Sequence, residues 1–194
     1  GWQGALLWLA AAVVLIMVPL SFLLHEPPQE LAKGSEAQSV AEAVREAFAH
    51  RPFRLLVAGY FVCGFQVVFI GVHLPSYLKD RGLLDPKIAV VALALIGFFN
   101  IFGSFTAGYL GGRLSKSRLL AAIYFTRAMI ISVFVFAPLS AFSVYLFAAA
   151  MGLLWLSTVP LTNGVIAGMF GVRHLSMLSG FVFFSHQVGS FSGV

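Results

Sequence analysis

Carboxylates are scarce in this chain, and they are missing from its long apolar runs. Asp and Glu number seven in 194 residues; all fall between Glu26 and Glu46 or at Asp80 and Asp85. No acid is therefore available inside those runs to carry a proton. The single cysteine, Cys63, excludes an internal disulfide framework, and its apolar neighbours suggest a small packing residue. The five histidines are too dispersed to pair at coordinating intervals, and no nucleotide-binding glycine loop or nucleophile constellation occurs. Ser185 and His186 are adjacent, but adjacent residues of a helix point in different directions, so they do not form a hydrolase pair. The expectation is a protein that is not an enzyme, with no metal and no cofactor.

What is abundant is apolar: 60% hydrophobic residues, 10% charged and a mean hydropathy of +0.95, which is outside the globular range and indicates an integral membrane protein. The sequence pI is 9.7, but the basic residues lie in short loops beside apolar runs rather than on one polar face. Membrane orientation explains that better than nucleic acid, which is not an expected partner. Gly1-Trp2-Gln3 runs straight into an apolar stretch, and Phe181 to Val194 stops inside another, so the chain is expected to be part of a longer polypeptide.

Six apolar segments stand out: Ala5 to Leu24, Leu55 to Leu78, Ile88 to Gly111, Leu119 to Ala137, Phe142 to Ile166 and Leu175 to the end. Each approximates the roughly 20 residues a helix needs to cross a bilayer. If they cross alternately, one side collects Lys33, Arg45, Arg51, Arg54, Arg113, Lys116, Arg118 and Arg173, and the other only Lys79, Arg81 and Lys87. The positive-inside rule makes the first side cytoplasmic, placing the linker 25–52 and the turn 112–118 there in a multi-pass protein of the cytoplasmic membrane. Within the linker, Pro27-Pro28 stops the first helix and Ser39-Val-Ala-Glu42 has capping-box spacing. Val40, Ala43, Val44, Ala47 and Phe48 then recur at helical intervals opposite Glu42, Arg45 and Glu46. This pattern fits a short amphipathic helix along the interface, or a solvated helix with a few apolar residues.

Between the third and fourth runs lies Gly108-Tyr-Leu-Gly-Gly-Arg-Leu-Ser-Lys-Ser-Arg118. Gly108, Leu110, Arg113 and Lys116 match the cytoplasmic turn Gly-x-Leu-Ala-Asp-Arg-x-Gly-Arg-Lys of the major facilitator superfamily, which the chain resembles. Gly112 stands where that motif has its acid and Ser115 where it has its second glycine. Gly64 to Gly82 and Ser185 to Ser190 look like bacterial monocarboxylate-transporter-like members. The resemblance implies an all-α, polytopic transmembrane bundle, a fragment of the two-half fold. Residues 1–24 would be the last helix of the N-terminal half, 25–52 the inter-half linker, and 53–194 five helices of the C-terminal half, the seventh to eleventh, the last truncated. It also implies a secondary active transporter that moves a small organic solute by alternating access, with the rest of the N-terminal half as its missing partner. The turn residues Gly108, Gly112, Arg113, Lys116 and Arg118 would then belong to a gating element.

Strongly polar side chains within the runs are few and costly. Counted at roughly 1.5 Å per residue, Gln66, Asn100, Arg127, Asn163 and Gln187 all fall at mid-bilayer depth, one on each of the five later spans. They form a candidate solute pathway. Arg127 presents a fixed charge on a planar fork suited to carboxylate or phosphate, so an anionic solute is the expectation, and the resemblance implies a monocarboxylate or other anion. Alternatively Arg127 turns inward onto carbonyls or Asn100, or snorkels towards headgroups. His186, and less favourably His73, are the candidates for proton coupling in a symport mechanism; the alternative is packing histidines. Pro75, Pro160 and Gly164 mark candidate bends. The competing reading is a non-transporting membrane scaffold or sensor that keeps the fold.

Overall fold

The computed structural model describes residues 2–22, 39–83 and 85–194, and every element among them is helical. Residues 23–38, the end of the first apolar run and the first part of the linker with Pro27-Pro28, lie outside the described residues. The chain divides into two units, Gly1–Ala37 and Gln38–Val194. In the first, α1 (Trp2–Ala12), a π-helical stretch (Val13–Met17) and α2 (Val18–Phe22) follow one another without a gap. Only Ser21 is polar beyond Gln3, and its hydroxyl donates to the Val18 carbonyl at 2.6 Å. This satisfies the hydroxyl within its own helix, as an apolar surrounding requires.

The second unit begins with α3 (Val40–Ala49). Its capping box forms as the spacing predicts: the Glu42 backbone N–H donates to Ser39 Oγ at 3.2 Å and the Ser39 N–H donates to the Glu42 carboxylate at 2.9 Å. The backbone bond, helped by the hydroxyl, holds the Glu42 carboxyl below the usual carboxylate range. Ala43 and Ala47 are buried, whereas Val40 and Phe48 stay exposed. The apolar face of α3 is thus partly packed on the bundle, with Phe48 edge-on to Phe53 and Phe181.

The bundle follows as α4 (Arg51–Asp80), α5 (Pro86–Arg113), α6 (Lys116–Phe136), α7 (Ala141–Leu154), α8 (Thr158–Phe170) and α9 (Leu175–Ser192). Pro52 and Pro86 sit in first turns, where a missing N–H costs nothing, and Asp85 Oδ1 accepts the Lys87 N–H. Two helix pairs are in closest contact, α4 with α9 and α5 with α7. Glycine makes both possible. A methyl group at Gly64 would strike the His186 carbonyl and one at Gly189 the Phe61 carbonyl, while Gly103 abuts Leu153 and Gly152 abuts Ile96 in the same way. In lipid, where no hydrophobic force drives helices together, this close backbone approach is a main source of association.

Among the described residues, five helical stretches are long and apolar enough to cross a membrane: Gln3–Phe22, Arg51–Asp80, Pro86–Arg113, Lys116–Phe136 and Ala141–Phe170. The sixth apolar run, now α9, is not one of them; its 18 residues include five serines, His186 and Gln187. The fifth run, expected as one span, is two helices, because the chain leaves the helix at Trp155-Leu156-Ser157.

Candidate functional site

The break between α7 and α8 opens backbone groups that lipid cannot satisfy, and side chains of α5 and α6 occupy three of them. Arg127 Nη2 donates to the Leu154 carbonyl and, at 2.5 Å, to the Trp155 carbonyl. The Leu156 N–H donates to Asn100 Oδ1 at 2.9 Å, and Ser104 Oγ supports the same oxygen at 3.3 Å. Ser157 Oγ donates to the Leu153 carbonyl at 2.6 Å, and the Leu156 carbonyl accepts the Val159 N–H at 3.0 Å. Irregular backbone at membrane depth is tolerated only when protein groups replace the lost bonds in this manner. Pro160 follows as the third residue of α8, where its missing N–H would have had no partner inside that helix.

Arg127 is 1% exposed. Its guanidinium lies at the carbonyl end of α7, the negative end of the helix dipole, which favours a cation there. Nη1 also donates to Cys63 Sγ on α4 at 3.2 Å, and the sulfur lies 3.7 Å from Thr158 Oγ1 at the start of α8. The Tyr124 ring sits 5.7 Å from the guanidinium carbon. Arg127 thus joins α4, α6 and the break, the inward orientation that the sequence left open beside a solute contact.

The other mid-depth residues do not converge on one point. Gln66 borders a cleft of about 720 Å³ between α4 and α6, and its Nε2 is buried without an acceptor among the described residues. His73 borders the same cleft, its ring 4.7 Å from that of Phe69. Asn163 Oδ1 accepts Ser179 Oγ at 2.9 Å, tying α8 to α9, and Gln187 is exposed on α9. The His186 ring lies 5.3 Å from that of Tyr60, tilted at 50° to it, with Nδ1 3.4 Å from Ser190 Oγ. α4 runs through Pro75 and α8 through Gly164 without interruption.

At the basic turn, only Leu114 and Ser115 separate α5 from α6. Gly108 and Gly112 are exposed on the last turns of α5, Arg113 lies 4.3 Å over the Tyr109 ring, and Arg118 is exposed. Lys116 differs: its stem crosses Gly164 of α8 so closely that a β-carbon there would lie 2.6 Å from Lys116 Cδ. Gly164 therefore serves as a seat for this side chain.

The family model described as Major Facilitator Superfamily matches residues 1–194, the whole chain. The chain belongs to the major facilitator superfamily. Members are multi-pass membrane transporters, which accords with the all-helical architecture and the five apolar stretches. Among curated relatives, the chain is 28% identical over 204 residues to the uncharacterized MFS-type transporter YcxA of Bacillus subtilis (strain 168), covering 97% of this chain and 47% of that protein. It is 20% identical over 185 residues to the uncharacterized MFS-type transporter YhjX of Escherichia coli (strain K12), covering 95% and 46%. It is 26% identical over 134 residues to monocarboxylate transporter 4 of Mus musculus, covering 66% and 28%. The chain spans about half the length of the first two of these relatives. No solved structure matches it.

The sequence reading did not anticipate Cys63 as a partner of Arg127, nor the break itself. The residues Trp155-Leu156-Ser157 carry no turn chemistry, and in this span only Pro160 and Gly164 mark candidate bends. A usable signal was present, however: Asn100 and Arg127 share one depth with Pro160, and a donor and an acceptor at that depth are what an interrupted helix needs.

Proposed function

We propose that this chain is the C-terminal half, with the preceding helix and linker, of a secondary active transporter that moves a small organic solute across the cytoplasmic membrane by alternating access. The observation that carries the reading is the interrupted span α7–α8, held at mid-helix by Arg127 and Asn100. Transporters build their pathways around discontinuous helices, because an interrupted span can pivot without exposing unpaired backbone to lipid. In this chain α8 pivots against α7 while side chains from α5 and α6 keep the freed carbonyls and N–H occupied. Arg127 and Asn100 thereby shape the pathway as positioning residues, and Gln66, Asn163 and Gln187 supply polar groups for it.

The solute is a monocarboxylate or other small anion, a class supported by the name of the mouse relative and by the basic character of the chain. Proton coupling falls to the histidines, with His186 ahead of His73, since no acid lies within the apolar runs themselves. The linker and the turn carrying Arg113, Lys116 and Arg118 lie on the cytoplasmic side by the positive-inside rule.

The test is uptake by the full-length protein in proteoliposomes, with a panel of small carboxylates and neutral solutes, with and without an imposed pH gradient. Solute accumulation that depends on the protein is expected. Absence of any solute flux across the panel, from protein that is folded in the bilayer, would favour a scaffold or sensor.

A further inference from the structure

One residue separates α3 from α4. Pro52 lacks the N–H that would carry α3 on into α4, so the chain turns at His50, whose backbone is extended (φ −73°, ψ 117°). Hydrogen bonds brace this corner on both sides. The His50 N–H donates to the Glu46 and Ala47 carbonyls at 3.2 and 3.1 Å, and the His50 carbonyl accepts the Arg54 N–H at 3.2 Å. α3 and α4 therefore form a bonded elbow rather than two helices on a loose joint.

Phe170, the last residue of α8, fits into that elbow. Its ring stands edge-on to His50 at the corner, at 5.7 Å, and edge-on to Phe53 on α4, at 5.6 Å. Phe53 in turn meets Phe48 of α3 at 5.3 Å, and Phe48 meets Phe181 of α9 at 5.7 Å. Edge-to-face rings attract one another beyond the area they bury. Behind them Ala47, Phe53 and Ile166 are fully buried in one apolar cluster with Leu178 and Val182 of α9. Gly171, at φ 73°, ends α8 directly after Phe170.

The 13 residues of α8, roughly 20 Å of helix, are thus held at both ends: at the break by the partners of its first turn, and at Phe170 by the elbow. The second hold has space beside it. A cleft of about 180 Å³ lies between α3 and the start of α9, bordered by Ala43, Glu46, Phe170 and His174. A cavity of roughly 150 Å³ is enough to take benzene, so a phenyl ring leaving the elbow has room to move.

We propose that the α3–α4 elbow is a latch on the end of α8 opposite the break, with Phe170 as its catch. While the ring is seated, α8 is fixed at two points and cannot turn. When the ring leaves, α8 turns about the break, where Arg127 and Asn100 keep the freed backbone groups paired. The linker helix is then a working part of the gate, because a displacement of α3 reaches α8 through one aromatic contact. The gating role rests on the transporter reading; the latch itself does not.

The experiment is hydrogen exchange of the full-length protein in lipid nanodiscs, read by mass spectrometry, on wild type, Phe170→Ala and His50→Ala. His50 is exposed, so the second variant loosens the elbow while sparing the core. Amides in the last two turns of α8 are expected to exchange about tenfold faster in Phe170→Ala and by a smaller factor in His50→Ala, with α5 and α6 unchanged. No change in α8 in either variant, or an equal rise in every helix in both, would overturn the latch. In proteoliposomes, a short thiol cross-link between His50→Cys and Phe170→Cys is expected to stop protein-dependent solute flux, and its cleavage to restore it. Full flux through cross-linked protein would overturn the gating role. If wild type shows no flux at all, the transporter reading and the gating role fail together, and hydrogen exchange alone decides the latch.

Discussion

Two stretches of this chain have the same length and one internal proline each, yet fold differently. α4, Arg51–Asp80, is 30 residues of continuous helix through Pro75; Ala141–Phe170, also 30 residues, is interrupted at Trp155-Leu156-Ser157 ahead of Pro160. A proline deletes one backbone donor in either place. The difference lies in the neighbours. Around the break, Arg127 supplies donors to two carbonyls and Asn100 supplies an acceptor to an N–H, each from near the middle of a packed helix. No such side-chain bond is found at Pro75 among the described residues. The interruption is therefore built by the helices that surround it, and proline only makes the second half easier to start.

The largest effect that would break this comparison is expected from Arg127→Leu. It leaves the Leu154 and Trp155 carbonyls unpaired in a dry site, at about 1–3 kcal/mol for each orphaned group. The full-length protein in detergent should lose thermal stability sharply, and a midpoint within error of wild type would contradict the clamp. Asn100→Leu should follow with a smaller loss, also about 1–3 kcal/mol, because one N–H is orphaned. Adding Pro160→Ala to Arg127→Leu should recover part of the stability, since the new N–H lets the span close into a continuous helix; no recovery would mean that the interruption has another cause.

Pro160→Ala alone is expected to change stability by less than about 1 kcal/mol, because the Leu156 carbonyl already accepts the Val159 N–H. The smallest effect concerns α3. Glu42 has its folded pKa lowered by the Ser39 bonds, so its contribution is present above the ordinary carboxylate range and is lost as pH falls through the lowered value. Hydrogen exchange of the Val40–Ala49 amides, corrected for intrinsic rates, should show less protection on acidification, and Glu42→Gln should flatten that dependence.

How much of this was legible in the sequence depends on whether a feature is local. The capping box at Ser39 and Glu42 and the all-helical apolar pattern are short-range and were readable. Depth counting also picked out Asn100 and Arg127 as costly intramembrane groups. Their shared purpose was not readable, because it depends on α5 and α6 meeting one point of a third span. Cys63 read as a packing residue for the same reason: its partner lies 64 positions away. Gly164, marked as a candidate bend, is also the surface on which Lys116 lies, a role visible only once α6 and α8 are side by side.

The most direct test is an electron cryo-microscopy structure of the full-length protein in lipid at a resolution that places side chains. The account predicts a helix that stops after Leu154 and restarts at Thr158, with the Arg127 guanidinium on the Leu154 and Trp155 carbonyls and Asn100 on the Leu156 N–H. A continuous helix from Ala141 to Phe170, with Arg127 facing an aqueous cavity, would contradict it.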